Sequence, residues 1–253
     1  MNIQVYKELK KHYLKFTENK FKKLLNPNLE SNKDTYKLFQ SVWKNEHGGL
    51  FPLENPFGDF TPPEILPFVK DDIIYVTDTG SNSAAFKKQY VKTLNELILN
   101  TPGDILNLDF SNNYGGKPAV MIAGLLPIFN NYSTKVLLYY YDRDGKRHRD
   151  ILHEENKIIS VSNHYETVSG TNKSKKFQTI NIYYNEFTTS SAEQSILCLL
   201  SISKLVNINL IGKKSMGATT VNYYVELNKD YGLEIPIGYM GTKHHIYKKG
   251  VQS

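Results

Sequence analysis

Four hydroxyl side chains, Thr188, Thr189, Ser190 and Ser191, stand in a row in the stretch "NEFTTSSAEQSILCLL", followed by Glu193 and an apolar run. Ser190-x-x-Glu193 ahead of apolar residues is a capping-box signature, in which each side chain satisfies an orphan backbone N–H at a helix start. The same place suits a nucleophile, because free N–H groups and the positive dipole end of a helix stabilise a developing oxyanion. Two further pieces can serve that chemistry. The Gly115-Gly116 pair either permits a tight turn ahead of a helix or brings a backbone N–H up to a substrate carbonyl. His47 in "NEHGG" is either a helix C-terminal residue favoured by the dipole or a general base at the edge of a cleft. The single cysteine, Cys198, lies in an apolar helical stretch and reads as a buried, inert thiol.

The elements that must position these residues follow from periodicity. Residues 4–25 carry Val5, Leu9, Tyr13, Phe16, Phe21 and Leu24 at near-helical spacing, and "NPN" at 26–28 ends that helix. A second helix starts near Ser31, carries Tyr36, Phe39, Val42 and Trp43 on one face and stops at "HGG". These two helices make residues 1–50 a small N-terminal head, and 51–253 form the core. The segment 52–67, with five prolines in "LFPLENPFGDFTPPEILPF" and no period, reads as a loop or lid. From residue 104 one order appears twice. "DILNLDF", "SNNYGG", "PAVMIAGLLPIF" and "KVLLYYYD" read as strand, loop, helix and strand, as do "TINIYYNEF", "TTSS", "AEQSILCLLSIS" and "NINLIG". Two βαβ units in an α/β fold would place both strand-to-helix loops at the carboxyl ends of the strands, so "SNNYGG" and "TTSS" should meet. "DRDG" at 142–145 is a turn, and residues 218–247 read as two or three antiparallel strands with "NKDYG" as a hairpin turn. His244 and His245, adjacent in such a strand, would point to opposite faces and make a poor metal pair.

Composition bounds the function. The chain has 253 residues, 40% of them hydrophobic, and no apolar run long enough for a membrane-spanning helix. The first residues carry charges where a signal peptide needs its apolar segment, so the chain as given is expected in the cytoplasm, or at the cell envelope if an anchor has been removed. The net charge is +6, and residues 1–30 hold seven Lys against three Glu. The aromatic and Arg patterning of a nucleic-acid reader is missing, so this excess reads as a solvated helix face.

The order "LNLDFSNNYGG", "TTSSAEQ", "LIGKKSMGATTVN" resembles the C-terminal-processing serine peptidases, also called tail-specific proteases. That family shows an Asp-Leu-Arg-Asn-Asn-x-Gly-Gly element, a Thr-Ala-Ser-x-x-Glu element and a Gly-x-x-(Ser/Thr)-x-Gly element. The resemblance covers residues 70–250, and "TTSSAEQ" is similar to the box of nisin resistance proteins, which cut the C-terminal tail from a lantibiotic. It implies a crotonase/ClpP-like core, no metal or cofactor, and a peptide substrate. It implies Ser190 as nucleophile, with the oxyanion held by the N–H of Ser191 and that of Gly115 or Gly116. Ala218 occupies the position of the lysine used by one branch, which excludes that branch. The tricorn-like branch uses an upstream His, and His47 matches it. Ser111 stands where the family has Arg and Thr189 where it has Ala, and no PDZ-like insertion is visible. No acid to orient His47 is evident, which implies a Ser-His dyad. The resemblance implies a serine endopeptidase that cuts peptides near their C-terminus, in peptide processing or bacterial peptide-antibiotic resistance. The alternative is a peptide-binding pseudopeptidase with the same cleft.

Overall fold

A computed structural model describes residues 1–13, 15–25, 31–43, 48–54, 63–162 and 165–252. The elements in the N-terminal part are α1 (Asn2–His12), α2 (Glu18–Phe21) running into a 3-10 turn, α3 (Asn32–Val42), β1 (Gly49–Pro52), β2 (Phe68–Lys70), β3 (Ile73–Tyr75) and α4 (Ala84–Asn100). There follow β4 (Ile105–Asp109), α5 (Pro118–Ala123), α6 (Leu126–Phe129), β5 (Val136–Asp142), β6 (Arg147–Glu154), β7 (Lys157–Ser160) and β8 (Glu166–Ser169). The chain closes with β9 (Thr179–Tyr183), α7 (Ser191–Leu200), β10 (Asn207–Ile211), β11 (Thr220–Glu226) and β12 (Tyr231–Gly241). They fall into two compact units: Met1–Phe60 with Tyr141–Lys146 and Thr220–Tyr239, and Thr61–Tyr140 with Arg147–Thr219 and Met240–Ser253. The first unit is therefore wider than a head of residues 1–50, because it takes in β11 and most of β12.

Within the first unit, the helix expected over residues 4–25 is broken. Tyr13 turns extended (φ −66°, ψ 125°) after α1, and Thr17 is extended again (φ −131°, ψ 131°) before α2. The break has a packing reason. Phe16 and Phe21 stack with centroids 5.6 Å apart and planes 13° from parallel, whereas residues five apart on an unbroken helix face different ways. Ser31 caps α3, its Oγ accepting from Asp34 N–H at 3.1 Å. Val5, Leu9, Tyr13, Phe21, Leu24, Phe39 and Trp43 bury against Leu50, Leu233 and Ile235 of the β1–β12 pair. The antiparallel strands expected in the tail are β11 and β12, joined through "NKDYG" with a register shift at Val221/Asn222. The "NPN" stop and His47 lie outside the described residues.

The second unit is built on a five-stranded sheet in the order β10-β9-β4-β3-β2, parallel except for the edge strand β2. Leu106, Leu108, Ile180 and Ile182 fill its centre, fully buried. Its two short parallel crossovers are β3-α4-β4 and β9-α7-β10, and a long one, through α5 to β8, joins β4 to its parallel neighbour β9. The first replaces the βαβ unit expected from residue 104, because β5 does not return to this sheet. Instead β5 neighbours β6, and β6, β7 and β8 run antiparallel. The "DRDG" turn explains the departure: Gly145 N–H donates to Asp142 O at 3.0 Å, closing a hairpin whose second strand lies next along the chain. Local antiparallel pairing needs no long crossover. His244 and His245 lie beyond the end of β12, in a turn where Thr242 N–H donates to His245 O at 2.9 Å, not in a strand.

Candidate active site

β4 and β9 pair in parallel with Asp109 opposite Tyr183, so the loops leaving their carboxyl ends start side by side. The structure brings "SNNYGG" and "TTSS" together as the parallel sheet requires. Thr189 N–H donates to Asn113 O at 3.0 Å, and Thr188 Oγ donates to Phe110 O at 2.8 Å. Asn112 N–H donates to Asn185 Oδ1 and Asn185 Nδ2 donates to Asn112 Oδ1, each at 3.1 Å. The third motif joins them, with Met216 N–H donating to Thr188 O at 3.0 Å.

Ser190 stands at the turn from loop into α7 with φ 55° and ψ −119°. A non-glycine residue held in such a region costs on the order of 1–3 kcal/mol and persists only where its surroundings over-determine it. Glu193, one turn on and fully buried, supplies much of that determination. Its Oε2 accepts Ser190 N–H at 3.0 Å, which is the carboxylate half of the capping box. Its Oε1 accepts Gly217 N–H at 2.9 Å and the Ser215 hydroxyl. Burial pushes the Glu193 carboxyl above its ordinary range, while these hydrogen bonds pull it down. The cap motif foretold the first contact. Nothing local foretold the other two.

Gly115 and Gly116 both have positive φ, 98° and 119°. A Cβ on Gly115 would lie 2.9 Å from Ser191 N and 3.0 Å from Ser190 Cβ, and one on Gly116 would overlap the backbone of Thr79 and Gly80. Their amides differ. Gly115 N–H donates to Asn113 Oδ1 at 2.8 Å. Neither Gly116 N–H nor Ser191 N–H donates to another described residue. Ser191 Oγ donates to Gly116 O at 2.8 Å and Thr79 N–H to Gly115 O at 2.9 Å, so the loop's carbonyls are pinned. Ser190, Ser191, Gly115 and Gly116 thus lie together, whereas His47 lies outside the described residues. Gly49, two residues after it, pairs with Glu234 of β12.

Two buried groups escaped the motif reading. Asp150 on β6 is fully buried; its Oδ2 accepts Gln194 Nε2 of α7 at 2.9 Å and its Oδ1 accepts the Ser162 hydroxyl. Burial raises its carboxyl to about 6 against those hydrogen bonds. No spacing in the sequence links a β6 residue to α7, although an Asp amid the strand "RHRDILHE" is a signal of a kind. Cys198 is buried, and desolvation, helped by Asp150, drives its thiol well up, away from nucleophilic character. Among the described residues no group of three His, Cys, Asp or Glu side chains is placed to hold a metal ion, and no helix is long and apolar enough to cross a membrane.

No protein-family model matches the chain, and no curated protein matches it in sequence. Solved structures do. A lipoprotein from Streptococcus agalactiae aligns over 99% of this chain and 88% of its own, with a TM-score of 0.71 at 18% identity. The fold is shared. A candidate peptidase from Parabacteroides merdae aligns over 99% of this chain and 87% of its own, with a TM-score of 0.59 at 10% identity. A photosystem II D1 C-terminal processing protease aligns over 71% of this chain and 40% of its own, with a TM-score of 0.46 at 18% identity. At these identities the first two establish a common α/β architecture.

Proposed function

We propose that the chain is a serine endopeptidase of the C-terminal-processing kind, of the tricorn-like and nisin-resistance branch, with its second unit as a crotonase/ClpP-like core. The observation that carries this reading is the strained Ser190 at the start of α7, with the amides of Ser191 and Gly116 beside it, neither of which donates to another described residue. Ser190 Oγ attacks the scissile carbonyl carbon, and His47 takes the hydroxyl proton and passes it to the leaving amine. Water then hydrolyses the acyl-enzyme by the same base. The N–H groups of Gly116 and Ser191 hold the oxyanion, since that of Gly115 is already given to Asn113. The reading needs no metal ion or cofactor.

The substrate is a flexible peptide cut near its C-terminus, with segment 52–67 as the lid. One large, exposed side chain on each of the three loops, Tyr114, Phe187 and Met216, supports a peptide-binding face there. The description of the S. agalactiae structure as a lipoprotein favours the envelope as the place of work.

Intact-mass measurement after exposure to a fluorophosphonate tests the nucleophile. A single adduct is expected on the wild-type chain and none on Ser190→Ala, while an adduct retained by Ser190→Ala would sink the assignment. His47→Ala should abolish peptide cleavage, and kcat/KM should fall on acidification through about 6.5, where a free imidazole base protonates. A profile flat from pH 5 to 8 would point to another base. A chain that binds peptides without an adduct or a cut would be the pseudopeptidase, the reading that Ser111 in place of the family Arg favours.

A further inference from the structure

Beside the loop that carries Gly115 and Gly116, the second unit contains a cavity of about 210 Å3. Small-molecule pockets run from roughly 300 to 1,000 Å3, so its size suits one long side chain. One wall is aromatic: Phe68 and Tyr75, opposite each other in the β2–β3 pair, hold their rings 4.8 Å apart and 4° from parallel. Ile65 adds an aliphatic surface and is half exposed. Two carboxylates close the polar end, Asp78 and Asp109. Asp109 Oδ1 accepts Ser111 N–H at 2.7 Å, and its Oδ2 has no hydrogen-bond partner among the described residues. Asp78 Oδ1 accepts Tyr114 N–H at 2.6 Å. No Lys, Arg or His stands among the described lining residues, and Ser111, on this wall, takes the place where the family motif has its arginine.

The cavity is tied to the reacting serine through the chain itself. Ser111–Asn113 line it, and Asn113 O accepts the N–H of Thr189, the residue before Ser190. We propose that this cavity is the specificity pocket for a lysine or arginine side chain of the substrate peptide, its stem lying along Phe68 and Tyr75 and its charged head meeting Asp109 and Asp78. A long cationic side chain buries its methylenes on apolar surface and gains from an aromatic face, which a carboxylate at the far end converts into selectivity for charge. The net charge of +6 does not oppose this, because screening confines exposed charges to about 8 Å at physiological ionic strength while the pocket carboxylates act at contact. The location beside the cut rests on the peptidase reading; the ligand class rests on the cavity alone.

The test uses peptides identical except for one residue walked through the positions flanking the cut, set to Lys, Arg, norleucine or Glu. Cleavage is read as kcat/KM with products mapped by mass spectrometry, and binding of labelled Lys and norleucine peptides is read by anisotropy on the Ser190→Ala protein. At one position Lys and Arg are expected to exceed norleucine, which keeps the stem and lacks the charge, by about tenfold or more. Asp109→Asn should bring that ratio close to one. Taking the ratio within each variant cancels any general loss from disturbing the Ser111 loop, and Phe68→Ala should weaken both peptides while the ratio persists. Equal cleavage of Lys and norleucine peptides at every position would overturn the pocket and leave the peptidase. No cleavage, with Lys-dependent binding that Asp109→Asn removes, would support the pocket and overturn the peptidase. Neither cleavage nor Lys-dependent binding would overturn both.

Discussion

The aromatic cluster of the first unit and the loop knot around Ser190 in the second are held by different forces. In the cluster, Phe39 and Trp43 stack at 4.9 Å, Tyr13 and Trp43 lie 5.0 Å apart, and Tyr13 meets Phe21 edge-on at 5.6 Å. Non-directional burial dominates there, so shape and volume matter more than any single bond. The knot inverts this. Thr188, Thr189, Ser191 and Glu193 are buried polar residues whose side chains or amides bind the backbone of other loops, and they hold Ser190 in a conformation it would otherwise leave. A region fastened by directional bonds can keep a strained backbone in place. A region fastened by packing keeps only a volume filled.

Breaking the knot at its centre should have the largest effect. Glu193→Ala strands the Ser190 and Gly217 N–H groups and the Ser215 hydroxyl, and should cost at least about 3 kcal/mol of stability, from roughly 1 or more for each of the three donors left unpaired. Peptide cleavage should fall by about 100-fold or more as Ser190 and the Ser191 amide shift. Calorimetry with a parallel kinetic assay checks both, and a variant with full activity would remove Glu193 from the account. Packing gives the contrast. Phe39→Ala should also cost about 3–5 kcal/mol, whereas Phe39→Leu should cost less than about 1.5. The emission of Trp43, the only tryptophan, reports that unfolding directly. Well below the unfolding temperature, both Phe39 variants should retain wild-type kcat/KM.

Asp150 sharpens the comparison through pH. Its carboxyl sits at about 6 when folded against an ordinary 3.8, so between those values the folded chain binds the proton that the unfolded chain has released. Stability from this group is therefore present below about pH 4 and lost as pH rises through about 6, by roughly 3 kcal/mol. Denaturant titrations at several pH values should show this dependence in the wild-type chain, and Asp150→Asn should flatten it. A difference between the two proteins that does not change with pH would refute the assignment. The smallest effect concerns the strain itself. Ser190→Ala loses the cap and should cost about 0.5–2 kcal/mol, while Ser190→Gly, which accepts φ 55° without penalty, should be more stable than the alanine variant by about 1 kcal/mol. Equal stabilities would mean that Ser190 carries no strain.

The sequence by itself determined what is settled within a few residues. Ser31 capping α3, the Glu193 carboxylate returning to Ser190 N–H, the "NKDYG" hairpin and the buried faces of β4 and β9 all depend on contacts one turn or one strand period away. The meeting of the "SNNYGG" and "TTSS" loops was also legible, because parallel strands leave their loops at one edge whatever else the chain does. Only the tertiary structure decided the rest. β5 leaves the main sheet because β6, next along the chain, completes a hairpin with it. The helix expected over 4–25 breaks because Phe16 and Phe21 gain more by stacking than by continuing the helical period. Gly115 and Gly116 read alike in sequence, yet Asn113 claims the amide of the first, while that of the second donates to no other described residue. Glu193 reaches Ser215 and Gly217 across more than twenty residues, and Asp150 reaches Gln194 across more than forty. Such contacts carry no local period, because the entropy of closing long loops is offset only when the whole core forms, and the partners are chosen by where the sheet sets them down.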